Sequence, residues 1–168
     1  MENRNIFLIG FMGVGKSTIA RILAKELDAE LIEMDETIEA EAGTSINEIF
    51  AQYGEQHFRD LESALVERIA HKGGAIVSCG GGAVLREQNV ASMKASGRII
   101  FLSATPETIY ERVRFSTTRP LLKDNMNVEH IAQLMEKRAS VYANAADVTI
   151  VTDGKDKNAI VREIMGIE

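Results

Sequence analysis

An α/β three-layer sandwich built on a parallel sheet is the fold this sequence predicts, and three observations predict it. Short apolar runs alternate with helical segments along the chain, a glycine loop ending in Gly15-Lys16-Ser17 follows the first run, and no internal repeat interrupts the alternation. At 168 residues and 45% hydrophobic content, the chain makes one domain over residues 1–168 and fills one core without metal or disulfide staples.

Asn5 to Ile9 is a short apolar run, and Ile19, Ile22, Leu23 and Leu27 recur at helical spacing after Gly15, which gives strand, glycine loop, helix. Glu30 to Met34 predicts the second strand and Asp35 to Glu41 the start of a helix. Ser45 with Glu48 three residues on predicts a capped helix through Ile49 and Phe50 that breaks near Gly54. A longer helix follows from Glu55 to about His71. Ala75 to Cys79 reads as a buried strand ending in Gly80, Gly81 and Gly82, before a polar helix from about Arg86 to Lys94. Arg98 to Leu102 is a strand, and Thr105-Pro106-Glu107 starts a helix that fades near Phe115, since proline suits a first turn. Ser116 to Asn127 is polar, aperiodic and contains Arg119-Pro120, so a mobile lid is expected over about 115–127. Asn127 caps a helix through Ala145, Asp147 to Val151 is the fifth strand, and a helix from about Lys157 to Met165 closes the chain.

Composition removes several functional classes. The longest apolar stretch, Ile6 to Gly15, is too short to span a bilayer and ends at Lys16, and the residues before it lack a signal peptide's positive charge, so a cytoplasmic protein without a membrane partner is expected. One cysteine, Cys79, suits a reducing compartment and reads as a small buried apolar residue. A net charge of −6, no Trp and only nine Phe and Tyr argue against a nucleic-acid partner. Any anionic ligand must therefore be held by a few cations placed locally. His57, His71 and His130 share no metal-ligand spacing.

Gly10-Phe11-Met12-Gly13-Val14-Gly15-Lys16-Ser17 fits G-x-x-x-x-G-K-[ST] at each fixed position and lies between a predicted strand and a predicted helix. Backbone N–H groups there curl around phosphate oxygens, the helix start adds its positive dipole end, Lys16 bridges the β- and γ-phosphates, and the Ser17 hydroxyl holds Mg²⁺. The guanine-specifying N-K-x-D is absent, Asp156-Lys157-Asn158 having the wrong order, and so is D-x-x-G. A small-molecule kinase is the class that remains.

The candidate acceptor residues each admit a bland and a functional role. Glu33 and Asp35 stand two apart at the end of the second strand and point the same way if strand geometry persists; one would reach the Mg²⁺ shell and the other the acceptor hydroxyl, or they serve as a solvated strand-end charge and a helix cap. Arg59 borders the apolar stripe of Phe58, Leu61, Leu65 and Ile69; it forms a surface ion pair with Glu55 or Glu62, or Glu62 orients its fork toward a substrate carboxylate. Arg138 falls on the inward stripe of Val128, Ile131, Met135 and Tyr142, where a cation needs a partner, structural or ligand. Three consecutive glycines cost conformational entropy unless a bare backbone is needed, as for a ligand's close approach. Ser78 is placed to hydrogen-bond Mg²⁺-bound water, and Arg119 is either a solvated loop charge or a cation delivered by a closing lid.

Together these motifs resemble the shikimate kinase family from Asn5 to about Glu163: GFMGVGKST, E-M-D where the family has D-x-D, G-E-x-x-F-R-x-x-E, the I-V-S-C-G-G-G strand end, and R-P-L-L in the lid. The resemblance implies a nucleoside-monophosphate-kinase-like fold of strand order 2-3-1-4-5, with an acceptor-binding helical segment at about 35–71. It further implies transfer of the ATP γ-phosphate to the 3-hydroxyl of shikimate, in aromatic amino-acid biosynthesis. Carried onto this chain, it makes Gly13, Val14, Gly15, Lys16, Ser17 and Thr18 the nucleotide cradle, with Arg112 against adenine. Asp35 becomes the hydroxyl contact and base, Arg59 and Arg138 the carboxylate grip, and Gly80, Gly81 and Gly82 the pocket lining. Lys16 and Arg119 stabilise the transferring charge, and Ser17 and Glu33 attend Mg²⁺. The family's R-x-P-L-Y is here Arg138-Ala139-Ser140-Val141-Tyr142. Partners are then ATP, ADP and shikimate, acting on a monomer; a kinase of gluconate or another hydroxy acid, and a nucleotide-binding module without turnover, are the alternatives.

Overall fold

The chain runs β1 (Asn5–Ile9), α1 (Lys16–Glu26), β2 (Glu30–Glu33), α2 (Met34–Ala42), α3 (Ile46–Tyr53), α4 (Glu55–Lys72), β3 (Ala75–Ser78), a 3-10 turn (Ala83–Leu85), α5 (Glu87–Ser96), β4 (Gly97–Ser103), α6 (Pro106–Val113), α7 (Val128–Ala145), β5 (Val148–Val151) and α8 (Lys157–Met165). This computed structural model describes residues 3–114 and 127–167, so the expected lid, with Arg119, lies outside the described residues except for Asn127. The sheet is parallel throughout, in the order β2-β3-β1-β4-β5.

Position in the sheet explains composition. β1 lies between β3 and β4 and is covered on both faces, so Phe7, Leu8 and Ile9 are buried and the strand reads as an unbroken apolar run. β2 and β5 are edges, and they are less apolar than β1: β2 carries Glu30 and Glu33 at its two ends, and β5 exposes Thr149 and Val151. α1 packs on β1, β2 and β3 and against α8; α4, α5 and α7 gather on the other face. The Ser45 side chain accepts from the Glu48 amide, Thr105 from Thr108 and Asn127 from His130, the caps that start α3, α6 and α7.

Several boundaries differ from the sequence reading. β2 ends at Glu33, and Met34 already belongs to α2 with its side chain fully buried. β3 ends at Ser78, and Asp147 precedes β5, where its carboxylate accepts from the Ile99 amide at 2.8 Å. Leu27 is exposed because α1 stops at Glu26; Ala20 and Ala24 take the buried stripe instead.

At the end of the sheet away from the glycine loop, Asn5 is wholly buried. Its amide donates to the Ile69 carbonyl at 3.2 Å and to the Ser96 hydroxyl at 3.4 Å, and its carbonyl accepts from the Ala75 amide at 2.9 Å. One side chain thereby ties β1 to the end of α4, the start of β3 and the end of α5. Asn5→Ala should lower unfolding free energy by about 1–3 kcal/mol in urea titration, because the Ala75 amide loses its Asn5 partner in the interior while the Ile69 carbonyl keeps the Gly73 amide; a cost below about 0.5 kcal/mol would contradict the staple.

Candidate active site

Residues 10–15 link the end of β1 to α1, and Phe11 and Val14 bury their side chains to seat the loop. Gly13 has φ +82°, and a Cβ there would stand 2.5 Å from Cγ1 of Val113, so only glycine lets α6 approach. α6 also reaches the loop through Arg112, whose Nη1 donates to the Val14 carbonyl at 2.8 Å. Lys16 curls over the loop, Nζ donating to the Gly10 carbonyl at 2.6 Å and the Phe11 carbonyl at 3.3 Å. In front lies a cavity of about 860 Å³, floored by residues 12–19, flanked by strand-end residues 33–36 and 78–81, and closed at the side by Arg112 and residues 155–158. Asp156, in the sequence that inverts the guanine motif, caps α8 by accepting from the Ala159 amide at 2.8 Å.

Two hydroxyls meet at the cavity floor, Ser17 Oγ and Ser78 Oγ at 3.4 Å. Ser78 is the register partner of Glu33, whose Oε1 is buried without a hydrogen-bond partner among the described residues and faces the guanidinium of Arg21 at 3.7 Å. Hydrogen bonding to Glu33, and then its charge, push the Glu36 carboxyl above its ordinary range. Among the described residues no three His, Cys, Asp or Glu side chains converge on one point. A hydroxyl and a carboxylate beside a phosphate loop fit a hard cation that keeps waters and phosphates as its other ligands, which is the habit of Mg²⁺.

The expectation that Glu33 and Asp35 point the same way by strand pleating does not hold. The strand stops between them, Glu33 occupying the N-cap position of α2 without capping through its side chain, and Asp35 lying exposed in the first turn. The helix turn carries Asp35 toward Gly80, where a Cβ would meet its Oδ1 at 2.7 Å.

The triple glycine is explained by the side chains that close on it. A Cβ on Gly80 would meet Asp35 and, at 3.1 Å, Glu62 Oε2; on Gly81 it would meet Arg138 Nη1 at 3.2 Å and the Tyr142 hydroxyl at 3.7 Å; on Gly82 it would strike the Arg59 guanidinium at 2.5 Å. None of the three has positive φ, so what matters is the missing side chain. Where sequence spacing left a surface ion pair open for Arg59, the pair is interior: Arg59 is 9% exposed and Glu62 not at all. Arg59 Nη1 donates to Glu62 Oε1 at 3.0 Å and Nη2 to Glu55 Oε1 at 3.3 Å, with the guanidinium over the Phe58 ring. Arg59 Nε and Glu62 Oε2 remain buried without hydrogen-bond partners among the described residues, one donor and one acceptor beside a bare backbone. Arg138 is half-buried. Glu36 is the neighbour that spacing gave little reason to place here; Cys79 is buried, its thiol pushed far up by desolvation.

A phosphate cradle adjoining a recess walled by guanidinium groups suits phosphoryl transfer from a nucleoside triphosphate to a small acid, and fold and site together define a P-loop small-molecule kinase. A family model described as Shikimate kinase matches residues 12–167. The chain is 44% identical over 163 residues to a shikimate kinase of Persephonella marina, covering 97% of this chain and 98% of that one. Its fold is similar to that of the shikimate kinase from Acinetobacter baumannii in complex with shikimate, with a TM-score of 0.90 and 29% identity over 97% of this chain and 91% of that one. The chain therefore belongs to the shikimate kinase family. A gluconokinase from Sinorhizobium meliloti, at 19% identity and a TM-score of 0.57 over 96% of this chain and 89% of that one, shares the fold alone.

Burial is the main influence on Glu62 and outweighs Arg59, holding the carboxyl above its ordinary 4.5. The folded chain then keeps a proton that the unfolded chain has released, so the contribution of Glu62 to stability falls as pH rises from about 4.5 through the raised value. Urea titrations of the wild type and of Glu62→Gln across that range should show the difference shifting against the wild type as pH rises; a flat difference would mean that Arg59 cancels the burial.

Proposed function

We propose that this chain transfers the γ-phosphate of ATP to the 3-hydroxyl of shikimate, giving shikimate 3-phosphate and ADP. The observation that carries the reading is the meeting of Asp35, Arg59 and Arg138 on three successive glycines beside the phosphate loop. In it, Gly13 to Thr18 cradle the triphosphate, and Lys16 exchanges loop carbonyls for β- and γ-phosphate oxygens. Arg112 lies against adenine. Arg59 and Arg138 grip the shikimate carboxylate, Glu62 keeping the Arg59 fork in one plane, while Gly80, Gly81 and Gly82 give the ring room. Asp35 orients the 3-hydroxyl and takes its proton. Ser17 and Glu33, with Ser78 behind them, would hold Mg²⁺, whose chemistry is to offset phosphate charge. Arg119, outside the described residues, is assigned the remaining charge on the transferring group.

Transfer through a loose transition state needs alignment and charge neutralisation more than covalent help. The reading takes the chain as a cytoplasmic monomer, without nucleic acid or membrane; no described helix is long and apolar enough to cross a membrane.

ADP release measured with shikimate, gluconate and AMP offered separately tests the reading: turnover with shikimate alone is expected. Turnover only with gluconate or AMP, or none with any, overturns it. Asp35→Asn should lower kcat by about 10²–10⁴-fold with nucleotide affinity intact, and an unchanged rate removes Asp35 from proton transfer. Arg59→Leu should raise the shikimate KM and leave the ATP KM alone; equal rises in both would argue against a carboxylate grip.

A further inference from the structure

We propose that Tyr142 is a positioning residue for the acceptor, its phenol oxygen fixing Arg138 against the glycine turn; this rests on the reading of Arg138 as a carboxylate grip. Tyr142 follows Arg138 by four residues on α7, so the two share a helix face. It is 2% exposed. Its hydroxyl donates to the Gly81 carbonyl at 2.6 Å and faces the same glycine as the Arg138 guanidinium. The ring rests on Phe101 of β4, centroids 5.2 Å apart, which sets the direction in which the hydroxyl points.

The phenol oxygen is thereby bonded to the backbone of the turn at the spot where the cation of the helix comes down. Gly81 is where they meet, since a Cβ there would come within 3.2 Å of Arg138 Nη1 and 3.7 Å of the phenol oxygen. Arg138 is half-buried on a long side chain, and an arginine without a fixed neighbour must surrender several rotamers when a carboxylate binds. The phenol removes that cost beforehand by holding the guanidinium in the binding orientation. Phenylalanine at 142 would keep the ring and its apolar contacts while taking the hydroxyl from the Gly81 carbonyl and from beside the guanidinium. The nucleotide side of the cavity, built from residues 12–19 and Arg112, touches neither group.

Steady-state kinetics of Tyr142→Phe, Arg138→Ala and the double variant test this. Tyr142→Phe should raise the shikimate KM about tenfold with the ATP KM unchanged. In the Arg138→Ala background the same change should add nothing, because the phenol acts through the arginine. An unchanged shikimate KM in Tyr142→Phe, or an effect that adds in full to Arg138→Ala, overturns the proposal while leaving the grip intact. An Arg138→Ala enzyme with an unaltered shikimate KM overturns the grip itself, and the proposal with it. A measurement on the unaltered protein is independent of how the variants fold. With tyrosine ¹³C-labelled at Cζ, the three resonances are assigned through Tyr53→Phe and Tyr110→Phe. Shikimate should move the Tyr142 signal and ADP alone should not; a Tyr142 signal that stays still with shikimate overturns the proposal.

Discussion

An arginine and a glutamate buried side by side against a strip of backbone without side chains is the constraint on which the rest of this molecule turns. Burying Arg59 and Glu62 is costly, and their mutual attraction offsets that cost only if the geometry is good and the remaining polar atoms find partners. Two of those atoms, Arg59 Nε and Glu62 Oε2, have no hydrogen-bond partners among the described residues. A buried donor and acceptor left open is destabilising in the empty protein and favourable once a polar ligand arrives. The imbalance makes this corner receptive to an acid bearing hydroxyls and indifferent to an apolar molecule.

The glycines follow from the same constraint. A Cβ at 80 or 82 would displace, respectively, the Asp35 carboxylate or the Arg59 guanidinium, and one at 81 would press on Arg138 Nη1 at 3.2 Å. Two helices distant in sequence, α4 and α7, are thus brought to one turn after β3, and two of the cations of a chain of net charge −6 are concentrated there. On the nucleotide side α6 does comparable work, pressing Val113 against Gly13 and donating from Arg112 to Val14.

How much of this could be read beforehand depended on whether the deciding partner was near in sequence. Caps at Ser45, Thr105 and Asn127, the break at Gly54 and the buried run of β1 are local facts and were legible. The phosphate loop is a contiguous motif, and Arg138 announced itself by its spacing from Ile131. The exposure of Arg59 was not legible, because a three-residue spacing to Glu62 looks the same on a surface or in an interior, and what covers the pair is Gly82 in another element. Spacing turned the Tyr142 ring inward but said nothing of a carbonyl 61 residues away. The stop of β2 at Glu33 depended on the burial of Met34, which turns the chain into α2 one residue early and re-aims Asp35.

The Asn5 side chain holds the Ile69 carbonyl near the far end of α4, ten residues and so about 15 Å along the axis from Arg59. The helix is in effect a lever pinned at its foot, and a tilt of one degree there swings the guanidinium by about 0.3 Å, a large part of the tolerance of a bidentate contact. The rigidity of an amide at the bottom of the sheet thus governs how firmly an acid is held at the top.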